Sequence, residues 1–260
     1  MTEALHVTRN GPILEVVLDR PKANAIDAAT SREMGEVFAS FRDDPDLLVA
    51  IFSGAGERFF SAGWDLKSAA EGETADADYG VGGFGGFPGL PNLNKPIITA
   101  INGLAVGGGF EIAMAGDMIV AADHAEMWLS ETRLGLVADT ASFRLPKLIP
   151  RALAMELLLT GRRLTAQGAK DMGLVNRVVP SADLMDEARA MAAEIAKGAP
   201  LAVAATKEII RMTETMRIED CYPAMEAKQF PTYEKLLASE DVKEGAQAFV
   251  EGRDPVWKGR

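Results

Sequence analysis

Through its first fifty residues the chain alternates apolar and polar positions in short runs. Leu5–Arg9 and Ile13–Asp19 read as strands joined at Asn10-Gly11, a pair suited to a tight hairpin turn. Asp27 is an N-cap candidate for a helix over Ala28–Arg42, where Met34, Val37, Phe38 and Phe41 recur at helical spacing. Pro45 ends that helix, and Val49–Ser53 reads as a short buried strand. The same grammar resumes at Lys95. Ile97–Ile101 and Asp117–Ala121 read as buried strands, Phe110–Ala115 as an apolar helix behind Gly107-Gly108-Gly109, and Ala125–Leu129 as another strand. Beyond Arg144 helical spacing dominates, over Arg151–Thr160, Thr165–Asp171, Leu184–Lys197, Leu201–Thr213 and Glu219–Ser239, with Leu174–Val179 the one late strand. Strands alternating with helices predict an α/β core, residues 1–198, followed by a helical C-terminal region, residues 199–260.

Gly54 to Asn94 breaks this pattern. It contains a formal G-x-G-x-x-G at Gly80, Gly82 and Gly85, but ADADY precedes it and FPGLP follows. A dinucleotide loop needs a strand before and a helix after, so the segment reads as a mobile surface loop.

Composition narrows the function. The 260 residues carry a formal charge of −11, the wrong sign for a general nucleic-acid binder. One cysteine, Cys221, and two histidines, His6 and His124, leave no disulfide framework, no zinc pattern and no Ser-His-Asp triad. MTEALHV lacks a basic, then apolar leader, and Pro96 to Ala122 is interrupted by Asn102, Glu111 and Asp117. The expectation is a cytoplasmic protein without a metal and without a membrane or nucleic-acid partner.

Two carboxylates stand out. Glu111 lies in AVGGGFEIAMAG, an apolar run where a charge is costly without a partner or a task. The glycines before it lead into a helix start, where free N–H groups and the helix dipole favour developing negative charge. Gly108 and Glu111 are about one helical turn apart, so amide and carboxylate can face one cavity. Glu131 follows a strand-like run and precedes a loop, the kind of position from which sites are built. Ser61-Ala62-Gly63-Trp64 sets small residues before a large aromatic and leaves room for an exposed amide at Trp64. Taken singly, each feature also fits a bland reading: tight helix packing, a surface Glu131–Arg133 pair, a turn covered by tryptophan.

In order, FSAGWDLK, NGLAVGGGFEIAMAGDMIVAADHA and SETRLGL resemble the crotonase (enoyl-CoA hydratase/isomerase) superfamily, and the resemblance covers essentially the whole chain. LDRPKANAID is similar to its first CoA-contacting segment, and TGRRLTAQGAKDMGLVNRVV to its late helix-strand element. LHVTRNG, REMGEVF, FRDDPD and DPVWKGR look most like a branch that dehydrates thioesters carrying a permanently charged trimethylammonium. The resemblance implies a spiral of ββα units with a C-terminal helical trimerisation region, giving a homotrimer or a dimer of trimers. It implies no cofactor, since coenzyme A enters as part of the acyl-CoA substrate. It places an oxyanion hole at the Trp64 and Gly108 amides and acid/base work on Glu111 and Glu131, with Glu111 at the Cβ hydroxyl and Glu131 at the Cα proton, or the reverse. Substrate and CoA contacts fall to Lys22, Ala23, Ala62, Asp65, Leu66, Lys67, Gly107, Ser130 and Asp139. Two glutamates favour hydration or dehydration; double-bond isomerisation and plain enoyl-CoA hydration stay open, and RNA binding, known among relatives, is opposed by the net charge.

The chain also departs from the family pattern. Ser130 stands where proline is common, and Ala138-Asp139-Thr140-Ala141-Ser142, then Phe143, replaces PDSGG. Glu251-Gly252-Arg253 replaces Glu-Lys-Arg, which leaves Arg253, Lys258 or Arg260 to meet a CoA phosphate. For a quaternary ammonium, Trp64, Phe84, Phe87 and Phe143 are the candidate rings and Asp139 the candidate carboxylate.

Overall fold

A computed structural model describes residues 4–260; Met1–Glu3, part of the leader reading, lie outside the described residues. The first two strands, β1 (Leu5–Asn10) and β2 (Ile13–Leu18), form the antiparallel hairpin. Asn10 pairs with Ile13, so the turn residues are Gly11 and Pro12, one position later than expected. After β3 (Ala25–Ile26), Asp27 caps α1 (Ala28–Asp43) by accepting from Thr30 N at 2.8 Å. Met34, Phe38 and Phe41 on its inner face are fully buried.

The chain then winds between two sheets. β4 (Val49–Gly54), β7 (Ile97–Ile101), β9 (Met118–Ala122) and β12 (Arg177–Val179) extend the hairpin into a six-stranded sheet, order β1-β2-β4-β7-β9-β12, parallel from β2 onward. Between these crossings β5 (Phe59–Ser61), β8 (Leu104–Val106) and β10 (Glu126–Trp128) join a second sheet in parallel, closed antiparallel by β11 (Leu164–Thr165). Each turn of the chain thus gives one strand to each sheet, which is the spiral of ββα units. Every residue of β4 and β7 is buried, as continuous apolar strands between covering layers require. β6 (Gly63–Trp64) pairs separately with β3 and leads into α2 (Leu66–Ala70).

The helices α3 (Gly108–Ala115), α4 (Asp139–Leu148), α5 (Arg151–Thr160), α6 (Ala166–Asp171) and α7 (Leu184–Ala196) complete the core. The last four are α8 (Pro200–Thr213), α9 (Ile218–Glu226), α10 (Pro231–Leu237) and α11 (Glu240–Glu251). Sequence periodicity missed α4, whose Pro146 and polar first turn hide it, and α11. The single helix expected over Glu219–Ser239 is two, broken where Lys228 takes φ +54° and Pro231 starts anew. Buried Glu208 of α8 holds that junction, accepting from Thr232 N at 2.7 Å. Lys207 ties α8 to the core through Asp117, 2.6 Å away.

The glycine-rich segment is not the surface loop the sequence suggested. A Cβ on Gly85 would lie 2.4 Å from Ile112, and one on Gly86 2.3 Å from Met34, so the backbone packs directly against α3 and α1. Phe87 enters the core beside Phe38 and Phe52. Among the described residues no helix is long and apolar enough to cross a membrane.

Candidate active site

Three backbone segments converge on one cavity of ≈ 520 Å³. The first is the start of α3. Gly107 precedes it at φ +55°, ψ −125°, a conformation open to glycine, and a Cβ there would sit 2.7 Å from Glu131 Oε1. Gly108 opens the helix, so its N–H has no intrahelical acceptor. The second segment is β6. Gly63, at φ +78°, comes so close that a Cβ would meet Gly108 N at 2.7 Å. Asp65 N donates to Ile26 O at 2.9 Å, and strand alternation turns the preceding Trp64 N–H to the opposite edge of β6. The third segment follows β10, where Ser130 precedes a short 3-10 turn, Glu131–Leu134.

The two glutamates share the cavity wall. Glu111 is buried on the first turn of α3, and its Oε1 accepts from Ala141 N at 2.8 Å. That amide is in the first turn of α4, so Glu111 caps a helix from another part of the chain. Burial pushes the Glu111 carboxyl up to about 7, with the Glu131 and Asp139 charges adding to the rise and the Ala141 amide opposing it. Glu131 is also pushed up, by burial first and by Asp139 as well. Its Oε2 is buried without a hydrogen-bond partner. Arg133 does not neutralise it; that guanidinium donates to Thr160 O at 2.6 Å. The result is a pair of carboxyls, both raised by burial, beside two amides, able to exchange protons and to stabilise negative charge.

Of the residues singled out in the sequence, Ala62, Trp64, Leu66, Gly107, Gly108, Glu111, Ser130, Glu131 and Asp139 line the cavity together. Lys22, Ala23, Asp65 and Lys67 do not. Ala23 O accepts from Ala62 N at 2.9 Å, so Lys22 stands exposed beside that wall, and Lys67 is exposed on α2. Asp65 is spent on structure: it bonds Arg20 at 2.9 Å and caps α2 through Lys67 N at 3.0 Å. Of the candidate rings, Trp64 and Phe84 line the cavity, while Phe87 lies in the core and Phe143 points outward, 56% exposed. Arg253 is held by Glu244 and Glu251, and Lys258 by Glu240. Sequence reasoning missed Tyr79, whose ring meets Phe84 edge-on at 5.4 Å, and the lining residues Trp128 and Thr140. Nothing in the local pattern distinguished Tyr79 from other loop residues. No three of His, Cys, Asp and Glu come together as a metal site among the described residues.

Residues 8–260 match the enoyl-CoA hydratase/isomerase family. A carnitinyl-CoA dehydratase of Escherichia coli (strain K12) is 58% identical over the full length of both chains. An enoyl-CoA hydratase of Mycobacterium tuberculosis H37Rv superposes with a TM-score of 0.89 at 40% identity, covering 99% of each chain. One from Mycobacterium marinum gives 0.90 at 39%, again over 99% of each. Fold, segment order and similarity over the whole length agree: the chain belongs to the enoyl-CoA hydratase/isomerase family.

Proposed function

We propose that this protein is a hydro-lyase interconverting carnitinyl-CoA and crotonobetainyl-CoA. The observation that carries the reaction class is the pair of raised carboxyls, Glu111 and Glu131, on one wall with the Gly108 amide. In dehydration, ionised Glu131 takes the Cα proton through its unpartnered Oε2. Negative charge passes to the thioester oxygen, which accepts from the Trp64 and Gly108 N–H groups, each worth about 3 kcal/mol by analogy with single oxyanion donors. The Cβ–O bond then breaks as protonated Glu111 gives its proton to the departing hydroxyl, releasing water. Hydration reverses each transfer. The split needs one carboxyl charged and one neutral, which mutual repulsion and burial favour near neutral pH.

The substrate reading has its own support. Trp64, Tyr79 and Phe84 set three aromatic rings along the cavity, and Asp139 adds a carboxylate. Such walls suit a trimethylammonium, which cannot donate a hydrogen bond. Ala62, Leu66, Gly107 and Ser130 shape the acyl channel, and exposed Lys22 and Lys67, with Ala23 and the Asp65-capped start of α2, form the path for the coenzyme A moiety. Coenzyme A enters with the substrate and no separate cofactor is needed. Residues 199–260 act as the oligomerisation region of a cytoplasmic trimer or hexamer.

A thioester panel, followed by loss of enoyl absorbance, tests the reading. Crotonobetainyl-CoA is expected to show a higher kcat/KM than crotonyl-CoA. A tenfold advantage for crotonyl-CoA or a longer neutral enoyl thioester would replace the carnitine reading with general enoyl-CoA hydration.

A further inference from the structure

Trp64 is anchored at both ends. Its backbone belongs to β6, and its indole Nε1–H donates to Glu73 Oε1 at 2.8 Å. The other oxygen of Glu73 accepts from the N–H of Ala28, the first residue of α1, at 3.0 Å. The adjacent Asp65 reaches the same helix end through Arg20, whose guanidinium also bonds Asp27. The Trp64-Asp65 pair is thus lashed twice to the first turn of α1.

The two anchors differ in charge. Arg20 is matched by two carboxylates, whereas no cationic side chain pairs with Glu73 among the described residues. Glu73 therefore sets a carboxylate, balanced by the start of α1 and by no cationic side chain, against the indole N–H of the aromatic wall. The Tyr79 phenol feels it too: burial pushes that group up to about 12, with the charges of Glu73, Asp76 and Asp139 contributing. Trp64, Tyr79 and Phe84 all face the cavity, and Tyr79 and Phe84 touch edge to face. An indole whose N–H donates to a carboxylate carries more electron density on its faces, and a cation over such a face is held more strongly. A neutral acyl group gains nothing from it.

We propose that Glu73 is a positioning residue that sets specificity, acting through Trp64 to make the acyl wall select a cationic group. The inference rests on the quaternary-ammonium substrate proposed above. Glu73 itself touches neither the cavity nor the reacting atoms.

The test uses the full-length protein and hydration kinetics with crotonobetainyl-CoA and crotonyl-CoA. Glu73→Gln keeps an oxygen for the indole N–H and removes the charge. The ratio of the two kcat/KM values, charged over neutral, is expected to fall about tenfold, carried mainly by KM for the charged thioester. Glu73→Ala, which removes the same charge and leaves the Trp64 ring in place, gives a second route to the same fall should the first variant fold poorly. Wild-type preference for the charged thioester with an unchanged ratio in the variants would overturn the role of Glu73 and leave the substrate reading intact. A wild-type protein with no such preference would overturn the substrate reading, and this inference with it.

Discussion

The cavity and the C-terminal helices are built on opposite terms. Around the cavity, backbone and carboxyls meet at close range: Gly63 against Gly108, Gly107 against the Glu131 carboxyl, Glu111 against the Ala141 amide. The C-terminal helices are internally tied by Glu208 and by Asp241, which accepts from Lys258 N and Gly259 N. Yet they leave Ile210, Ile218, Tyr222, Phe249 and Val250 largely exposed, Phe249 at 87%. The carboxyls of the first region are positioned by contacts within the chain, while the second displays apolar surface of the kind that association covers. Damage to the first should therefore abolish chemistry and spare assembly, and damage to the second should do the reverse.

The largest effect is expected from Glu111→Gln and Glu131→Gln. Each should lower hydration about 100-fold or more, the range that general acid/base groups supply, with the native oligomer retained on size exclusion. Near wild-type turnover in either variant removes that residue from the mechanism. Gly63→Ala should match this loss, because its methyl group would press on Gly108 N and Val106 O and displace an oxyanion donor. Trimming the chain after Gly198 removes the second region. It should yield a monomer or an aggregate by light scattering, and a soluble trimer lacking residues 199–260 would contradict the proposed assembly region.

These contrasts also explain what the sequence disclosed. The hairpin, α1 with its Asp27 cap, β4 and β7 were legible because local pattern and burial agree there. The Glu111 anomaly was legible because a carboxylate in an apolar run has few cheap explanations. α4 was not, because its start is stabilised by Glu111, a residue distant in sequence. The glycine-rich segment looked like loose loop because its partners, Ile112 and Met34, lie on other elements. Phe87 and Phe143 were plausible ring candidates by type alone, and only packing separates them from Phe84 and Tyr79.

The smallest expected effect is on stability, because the cavity holds charge at a cost. Burial pushes the Glu111 carboxyl up to about 7 in the folded protein, against 4.5 as its ordinary value. Above pH 7 it is ionised in both states and the fold bears the full penalty; below about 4.5 it is neutral in both and bears none. Glu111→Gln should therefore stabilise the protein by about 3 kcal/mol at pH 8.5, with the gain shrinking through pH 7 and gone near pH 4. Paired denaturant melts at the two pH values measure this, and a gain independent of pH would mean that the carboxyl is not the source.

In the proposed mechanism two carboxyls divide the proton transfers over one pair of amides. Deuterium exchange at Cα of butyryl-CoA in heavy water tests it most directly, because this saturated thioester has no Cβ hydroxyl and reports the Cα base alone. Wild type and Glu111→Gln should both exchange, and Glu131→Gln should lose exchange by about 100-fold. Loss in Glu111→Gln with exchange retained in Glu131→Gln, or equal loss in both, would contradict the division.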